Sequence, residues 1–268
     1  MADRARHARR TRRGLSQNFL RSRRLADDIV RGLDVRPHEL IVEIGAGDGR
    51  LTEPLARRAR RVIAIELDPA LAAGLSMRFD VVAGDALSVP LPAEPFRVVG
   101  NIPFHRTTAI LRRLLDELEV PLRRADLIVQ WEVAQKRTAV VPSTQLSAEW
   151  APWWELALVR RFDASAFEPR PEIDAALLRI VRRERELVPA GLAPEYRNFV
   201  RRAFAHGLRS VVPPLTLKRA AAAAGFGRRA APRELDDYQW AALFRHVWPA
   251  VRLRRTAHTR RDEEERFQ

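Results

Sequence analysis

Hydrophobic positions first recur at helical spacing around residue 25. Leu25, Ile29, Val30 and Leu33 fall on one face, which predicts an amphipathic helix with Ser22 as its candidate N-cap. From Leu40 the pattern changes. Short apolar runs at Leu40 to Ile44, Val62 to Ile65, Val81 to Val82, Phe96 to Val99 and Leu127 to Val129 are separated by turn residues and helix-period segments. Such runs predict strands buried on both faces. Leu51, Leu55 and Ala59 predict a helix after the first run. Thr107 to Leu118 predicts another, with Ile110, Leu111, Leu114, Leu115 and Leu118 as its apolar stripe. Strands alternating with helices predict an α/β fold, a parallel sheet covered on both faces.

Trp154 to Val159 and Ala175 to Val181 predict two further strands, joined by the loop "DASAFEPRPEID". After "RRERELVPAGLAPE" the pattern becomes helical, over Tyr196 to His206, Leu217 to Ala224 and Leu235 to Val247, with no strand candidate of comparable quality. The expected organisation is therefore a basic arm over 1–14, an α/β domain over 15–184, a small helical domain over 185–250 and a charged tail over 251–268. No internal repeat is present.

Charge sharpens this picture. The formal net charge of the 268-residue chain is +14, and lysine occurs only at Lys136 and Lys218, so arginine carries almost all of it. Arginine makes forked contacts to phosphate and stacks on bases, so the expected partner is a nucleic acid. The chain has no cysteine. Disulfides, thiolate metal sites and cysteine nucleophiles are excluded, and a reducing compartment is compatible. No apolar run approaches the roughly 20 residues that span a bilayer.

The candidate chemistry lies at successive strand ends. In "IVEIGAGDGRL", Gly45, Gly47 and Gly49 follow a strand and precede a helix, where the main chain turns tightly and a ligand approaches it closely. A dinucleotide fingerprint would need a third glycine where Arg50 stands, and no Gly-Lys-Ser/Thr phosphate loop is present. Glu43, just before the turn, suits a pyrophosphate poorly. The turn suits a ligand without phosphates, such as the amino-acid half of S-adenosylmethionine. Glu66 ends the second strand, where a carboxylate accepts from ribose hydroxyls. Asp85 ends the third, in "AGDAL", placed to accept from an adenine amino group.

The fourth strand ends in "GNIPF". An adenine amine is a poor nucleophile because its lone pair is delocalised into the ring. Two acceptors on its N–H groups, the Asn101 side-chain oxygen and the Ile102 carbonyl, would pull it toward a pyramidal shape. Pro103 biases Ile102 to an extended conformation and stiffens the turn. Phe104 offers a face for a flipped base, worth roughly 1–3 kcal/mol.

These motifs together resemble the ribosomal RNA adenine N6-methyltransferases, and within them the erythromycin-resistance (Erm) methylases of large-subunit RNA. The resemblance runs from about Gly14 to about Arg245. It implies a Rossmann-like class I S-adenosylmethionine-dependent methyltransferase domain with a small all-helical C-terminal domain. "SQNFL" resembles the family's leading motif, which implies that Asn18 and Leu20 contact the cofactor. Gly45, Glu66 and Asp85 match its cofactor ligands. "NIPF" matches its catalytic motif, in which Asn101 serves both cofactor and target. "FEPRPEID" resembles its F-x-P-x-P motif, which nominates Phe167 as a residue enclosing the flipped base. "RELDDYQWAALF" resembles its C-terminal helix. Phe104 replaces the commoner tyrosine, "HRTT" follows the motif, and Asp174 stands where a serine often does. The resemblance implies a cytoplasmic, monomeric enzyme acting on large-subunit ribosomal RNA before the particle is fully assembled, and macrolide-type antibiotic resistance. Ile102 and "RELDDYQW" favour the large-subunit branch over the small-subunit (16S) dimethylases. A non-catalytic nucleic-acid-binding factor on the same fold is the other alternative, and the intact site motifs argue against it.

Overall fold

The computed structural model describes residues 18–139, 141–142 and 144–248. The predicted basic arm and charged tail lie outside the described residues. The chain divides into two compact units. One comprises the residues up to Thr138 together with Glu155–Arg182, and the other comprises Ala139–Trp154 with the chain from Arg183 onward.

The first unit is built on a seven-stranded sheet. Five strands, β2 (Leu40–Ile44), β3 (Arg61–Glu66), β4 (Asp80–Ala83), β5 (Phe96–Asn101) and β6 (Leu122–Gln130), lie parallel in the order β4-β3-β2-β5-β6. One strand breaks the parallel run. β9 (Ala175–Arg182) inserts beside β6 and runs antiparallel to it, with β7 (Trp154–Phe162) on its outer side. All five residues of β2 are buried, as the unbroken apolar run predicts for a central strand.

The helices follow from local chemistry. In α1 (Arg23–Gly32), the Ser22 hydroxyl accepts from the Leu25 N–H, and Ala26, Ile29 and Val30 are buried. α2 (Thr52–Ala56) follows the glycine turn. α3 (Pro69–Ser76) was not expected. It starts at an Asp-Pro pair in which Asp68 accepts from the N–H groups of Ala70 and Leu71. α4 (Thr107–Leu115) buries Ile110, Leu111, Leu114 and Leu115. It ends three residues short of the predicted limit, and Leu118 is buried just beyond it. α5 (Trp131–Arg137) follows β6. A short ribbon pairs β1 (Phe19–Leu20) with β8 (Phe167–Glu168), placing Leu20 opposite Phe167.

Some of the arginine is structural. Asp126 is fully buried in β6 and is ion-paired with Arg97 at 3.1 Å, Arg124 at 2.6 Å and Arg179 at 2.8 Å. A buried carboxylate persists only when compensated in this way.

The second unit holds α6 (Gln145–Trp150), α7 (Ala193–His206), α8 (Leu208–Val211), α9 (Pro214–Ala224) and α10 (237–248). Its core is aromatic. Tyr196 meets Trp153 edge-on at 5.6 Å and Phe244 at 5.2 Å, and Phe199 meets Trp240 at 6.0 Å. The Tyr196 hydroxyl donates to the Ala148 carbonyl at 3.0 Å, and Trp153 Nε1 donates to the Val188 carbonyl at 2.8 Å. Glu149, fully buried, takes a two-pronged ion pair from Arg201, with both distances 3.1 Å. The helical unit thus includes residues 139–154, which the expected boundary at 184 assigned to the α/β domain. The reason is that Trp153 finds its aromatic partner, Tyr196, far along the chain.

Candidate active site

The strand order reverses between β2 and β5: the chain moves outward through β3 and β4, then returns to the other side of β2. Open α/β sheets bind ligands at the carboxyl ends beside such a switch point, and the site residues converge there. Gly100 sits opposite Ile44, and a Cβ on Gly100 would lie only 2.5 Å from the Ile44 carbonyl oxygen, so glycine is required for β5 to approach β2. Gly45 then turns at φ 75°, and its N–H donates to the Ile65 carbonyl at 2.9 Å. A Cβ built there would sit 3.4 Å from the Asn101 carbonyl oxygen. One strand further out, the Gly84 N–H donates to the Glu66 carbonyl at 2.9 Å and carries Asp85 beside Glu66.

Between these loops lies a hollow of about 100 Å³, lined among others by Ile44, Gly45, Glu66, Asp85, Arg106 and Ile110. Its floor is apolar and its rim carries two carboxylates. Glu66 is buried, and its two oxygens accept from the Gly47 N–H at 2.7 Å and the Asp68 N–H at 2.9 Å. It therefore braces the glycine turn as well as lining the hollow. Asp85 accepts from the Leu87 N–H at 2.9 Å and from Arg106 at 2.8 Å. The Leu87 bond first, and then the Arg106 bond, hold its carboxyl below the usual range.

The segment around Asn18 folds over the turn from the other side. A Cβ on Gly47 would meet the Phe19 ring at 2.6 Å, so the ring rests directly on the glycine. The Asn18 carbonyl accepts from Asn101 Nδ2 at 2.6 Å. That bond fixes the Asn101 amide and leaves its side-chain oxygen turned away from Asn18. Arg50, which breaks the dinucleotide fingerprint, pairs with Asp48 at 2.8 Å and donates to the Leu20 carbonyl, fastening this segment to the turn.

After Asn101 the chain passes the buried Ile102 and the extended Pro103 into a single 3₁₀ turn, Phe104–Arg106. Phe104 is half-buried against an apolar cluster that contains Leu20, Phe162 and Phe167. Two nominated side chains lie back from the hollow. Leu20 and Phe167 face each other in the β1–β8 ribbon and are 3% and 2% exposed, and Phe167 meets Phe162 edge-on at 6.4 Å. Their side chains form core here and offer no open face to a ligand. The structure thus brings Asn18, Gly45, Glu66, Asp85, Asn101 and the Phe104 turn to one rim, with Leu20 and Phe167 behind it. Asp174 accepts from Arg161 and from the Ala164 N–H at 3.0 Å, which holds the loop ahead of Phe167.

One buried acid has no such role. Alternation along β2 sends Ile44 toward the hollow and Glu43 to the opposite face. Neither carboxyl oxygen of Glu43 has a hydrogen-bond partner, and burial pushes its pKa to about 8.

A parallel sheet with an antiparallel strand inserted beside β6, a glycine turn at its switch point and carboxylates on the next two strand ends define an S-adenosylmethionine-dependent methyltransferase. The residues suit that cofactor: the hollow offers an apolar floor for a purine and acceptors for hydroxyl and amino groups, and its negative rim favours a cationic ligand. The family model described as "Ribosomal RNA adenine dimethylase" matches residues 8–222, and the chain belongs to that family. A Corynebacterium diphtheriae rRNA adenine N-6-methyltransferase is 43% identical over 173 residues, covering 62% of this chain and 66% of that protein. The mycinamicin-resistance protein MyrB of Micromonospora griseorubida is 35% identical over 245 residues, covering 87% of this chain and 78% of that one. Among solved structures, the 23S rRNA methyltransferase ErmE superposes with a TM-score of 0.75 at 32% identity, over 86% of this chain and 99% of that chain.

Proposed function

We propose that the protein methylates the N6 amine of an adenine in 23S ribosomal RNA and so confers resistance to macrolide-type antibiotics. The single observation that carries this reading is the Asn101 amide, tethered by Asn18 at 2.6 Å beside the Gly45 turn. It puts an acceptor for an adenine amine next to the cofactor rim. MyrB and ErmE, by their names a resistance protein and a 23S methyltransferase, support the choice of RNA and the consequence for the cell.

S-adenosylmethionine supplies a methyl group on a positively charged sulfur. The rest is the work of this chain. Glu66 would accept from the ribose hydroxyls, and Asp85 would accept from the cofactor's adenine amine. The target base stacks on Phe104. The Asn101 side-chain oxygen and the Ile102 carbonyl accept its two N–H bonds and concentrate the nitrogen lone pair. With the cofactor bound, these two acceptors would hold the nitrogen lone pair toward the methyl group it supplies, and the extra proton on the methylated amine would pass to water. No side-chain base is needed. Alignment and exclusion of water supply most of the rate. Leu20 and Phe167 act from behind, packing the cluster on which Phe104 rests.

The RNA partner is reached before the ribosomal particle is fully assembled, where the target base can still be turned out of its stack. The enzyme acts as a cytoplasmic monomer. Among the described residues no helix is long and apolar enough to cross a membrane.

The test is incubation with methyl-labelled S-adenosylmethionine and deproteinised 23S or 16S RNA, followed by mapping of the label. Label on N6 of one 23S adenine supports the reading. Label confined to 16S RNA moves the protein to the small-subunit branch, and no label in either RNA overturns the assignment.

A further inference from the structure

The Asp85–Arg106 ion pair joins two parts of the site that the sequence treats as separate. Asp85 follows β4. Arg106 closes the turn that begins at Phe104. Their side chains meet at 2.8 Å across the mouth of the same hollow, 34% and 27% exposed. At that exposure an ion pair adds little to stability. Its effect lies in direction.

We propose that Arg106 is a positioning residue of the cofactor site, which aims the Asp85 carboxylate at the cofactor's adenine amine and anchors the Phe104 turn to the same rim. This rests on the reading of Asp85 given above. One Asp85 oxygen accepts from the Leu87 N–H and the other from Arg106. A carboxylate has about four acceptor positions, so two remain for a ligand. With only the Leu87 bond the group would be free to rotate toward water. The second bond fixes the plane in which the remaining lone pairs point. Arg106 is itself held, because its N–H donates to the Pro103 carbonyl at 2.9 Å, and Thr107 Oγ1 donates to the Phe104 carbonyl at 2.9 Å. The base-stacking turn and the adenine acceptor are thereby one connected unit.

The chemical consequence is selectivity for an amine. Adenine presents a donor at its six position. Hypoxanthine presents a carbonyl there, which an aimed carboxylate repels. The experiment is calorimetric titration of S-adenosylhomocysteine and S-inosylhomocysteine into the full chain and into Arg106→Gln, Arg106→Lys, Asp85→Asn and Arg106→Gln/Asp85→Asn variants. Thermal unfolding of each variant checks that it folds. The expected result is that Arg106→Gln lowers the adenosyl-to-inosyl affinity ratio about tenfold, the scale of one charge-assisted hydrogen bond. Arg106→Lys retains part of the ratio, and Arg106→Gln lowers it no further when Asp85→Asn is already present. The same Arg106→Gln variant binds a 23S RNA fragment less tightly than the unaltered protein when S-adenosylhomocysteine is present.

An unchanged ratio in both Arg106 variants overturns the proposal. So does tighter S-adenosylhomocysteine binding by Arg106→Gln, which would make Arg106 a competitor for Asp85. If the unaltered protein binds neither nucleoside, the reading of the cofactor site falls first, and this inference falls with it.

Discussion

Replacing Glu43 by glutamine should remove a pH dependence of stability that the native protein carries. The carboxyl is fully buried, and neither of its oxygens has a hydrogen-bond partner. Burial is the main cause of its raised pKa; the Thr52 hydroxyl, close by but outside hydrogen-bond geometry, opposes it, and the charges of Glu66 and Asp48 add to it. Unfolding returns the group to water and to its ordinary value of 4.5, against about 8 in the fold. The folded state therefore holds its proton to higher pH than the unfolded state. The group's stabilising contribution is complete below pH 4.5, declines as pH rises toward about 8, and is lost above that. Each tenfold change in proton affinity is worth about 1.4 kcal/mol, so the whole interval amounts to about 5 kcal/mol. Urea unfolding of the native protein and of Glu43→Gln, compared at intervals from about pH 5.5 to 8.5, isolates this group from every other titration. The native protein should lose about 3 kcal/mol relative to the variant across that range. Parallel stability curves would refute the idea that the fold keeps this acid neutral.

Other expectations concern the site itself. Asn101→Ala should abolish methyl transfer while RNA binding, followed by filter retention, stays within about twofold, since phosphate contacts dominate that affinity. Equal turnover in the variant would remove Asn101 from the chemistry. Phe104→Tyr should keep most activity, whereas Phe104→Ala should weaken capture of the target base about 10- to 100-fold, read as a rise in KM for an RNA fragment. Gly47→Ala puts a Cβ 2.6 Å from the Phe19 ring at a φ of 60°. It should cost about 1–2 kcal/mol in thermal unfolding and weaken S-adenosylhomocysteine binding. Removing residues 1–13 should lower RNA affinity and reduce its salt slope; identical slopes would show that the arm makes no phosphate contacts.

The central strands are legible in the sequence because parallel strands are buried on both faces and read as unbroken apolar runs. The switch-point residues are legible because each stands at the end of such a run. What the sequence conceals is pairing at long range. Nothing local to Leu20 or Phe167 says that they face each other in a ribbon and turn inward. Nothing near Trp153 announces Tyr196. Arg106 is lost among many arginines, and nothing in the sequence ties Arg50 to Leu20, until the structure places one on Asp85 and the other on the Leu20 carbonyl. The same crowding inflates the nucleic-acid signal, because Arg97, Arg124 and Arg179 converge on the buried Asp126. The helix after Asp68 did have a local signal, the Asp-Pro pair, which the apolar pattern alone passed over.

The looping of residues 139–154 into the helical unit has a practical consequence for anyone seeking a smaller enzyme. A chain truncated after Arg182 would keep Trp153 while discarding Tyr196, and would keep Glu149 while discarding Arg201. An indole and an uncompensated carboxylate would be left stranded in the middle of the shortened polypeptide. A minimal version would have to excise that inner stretch as well and rejoin the chain near residues 138 and 155.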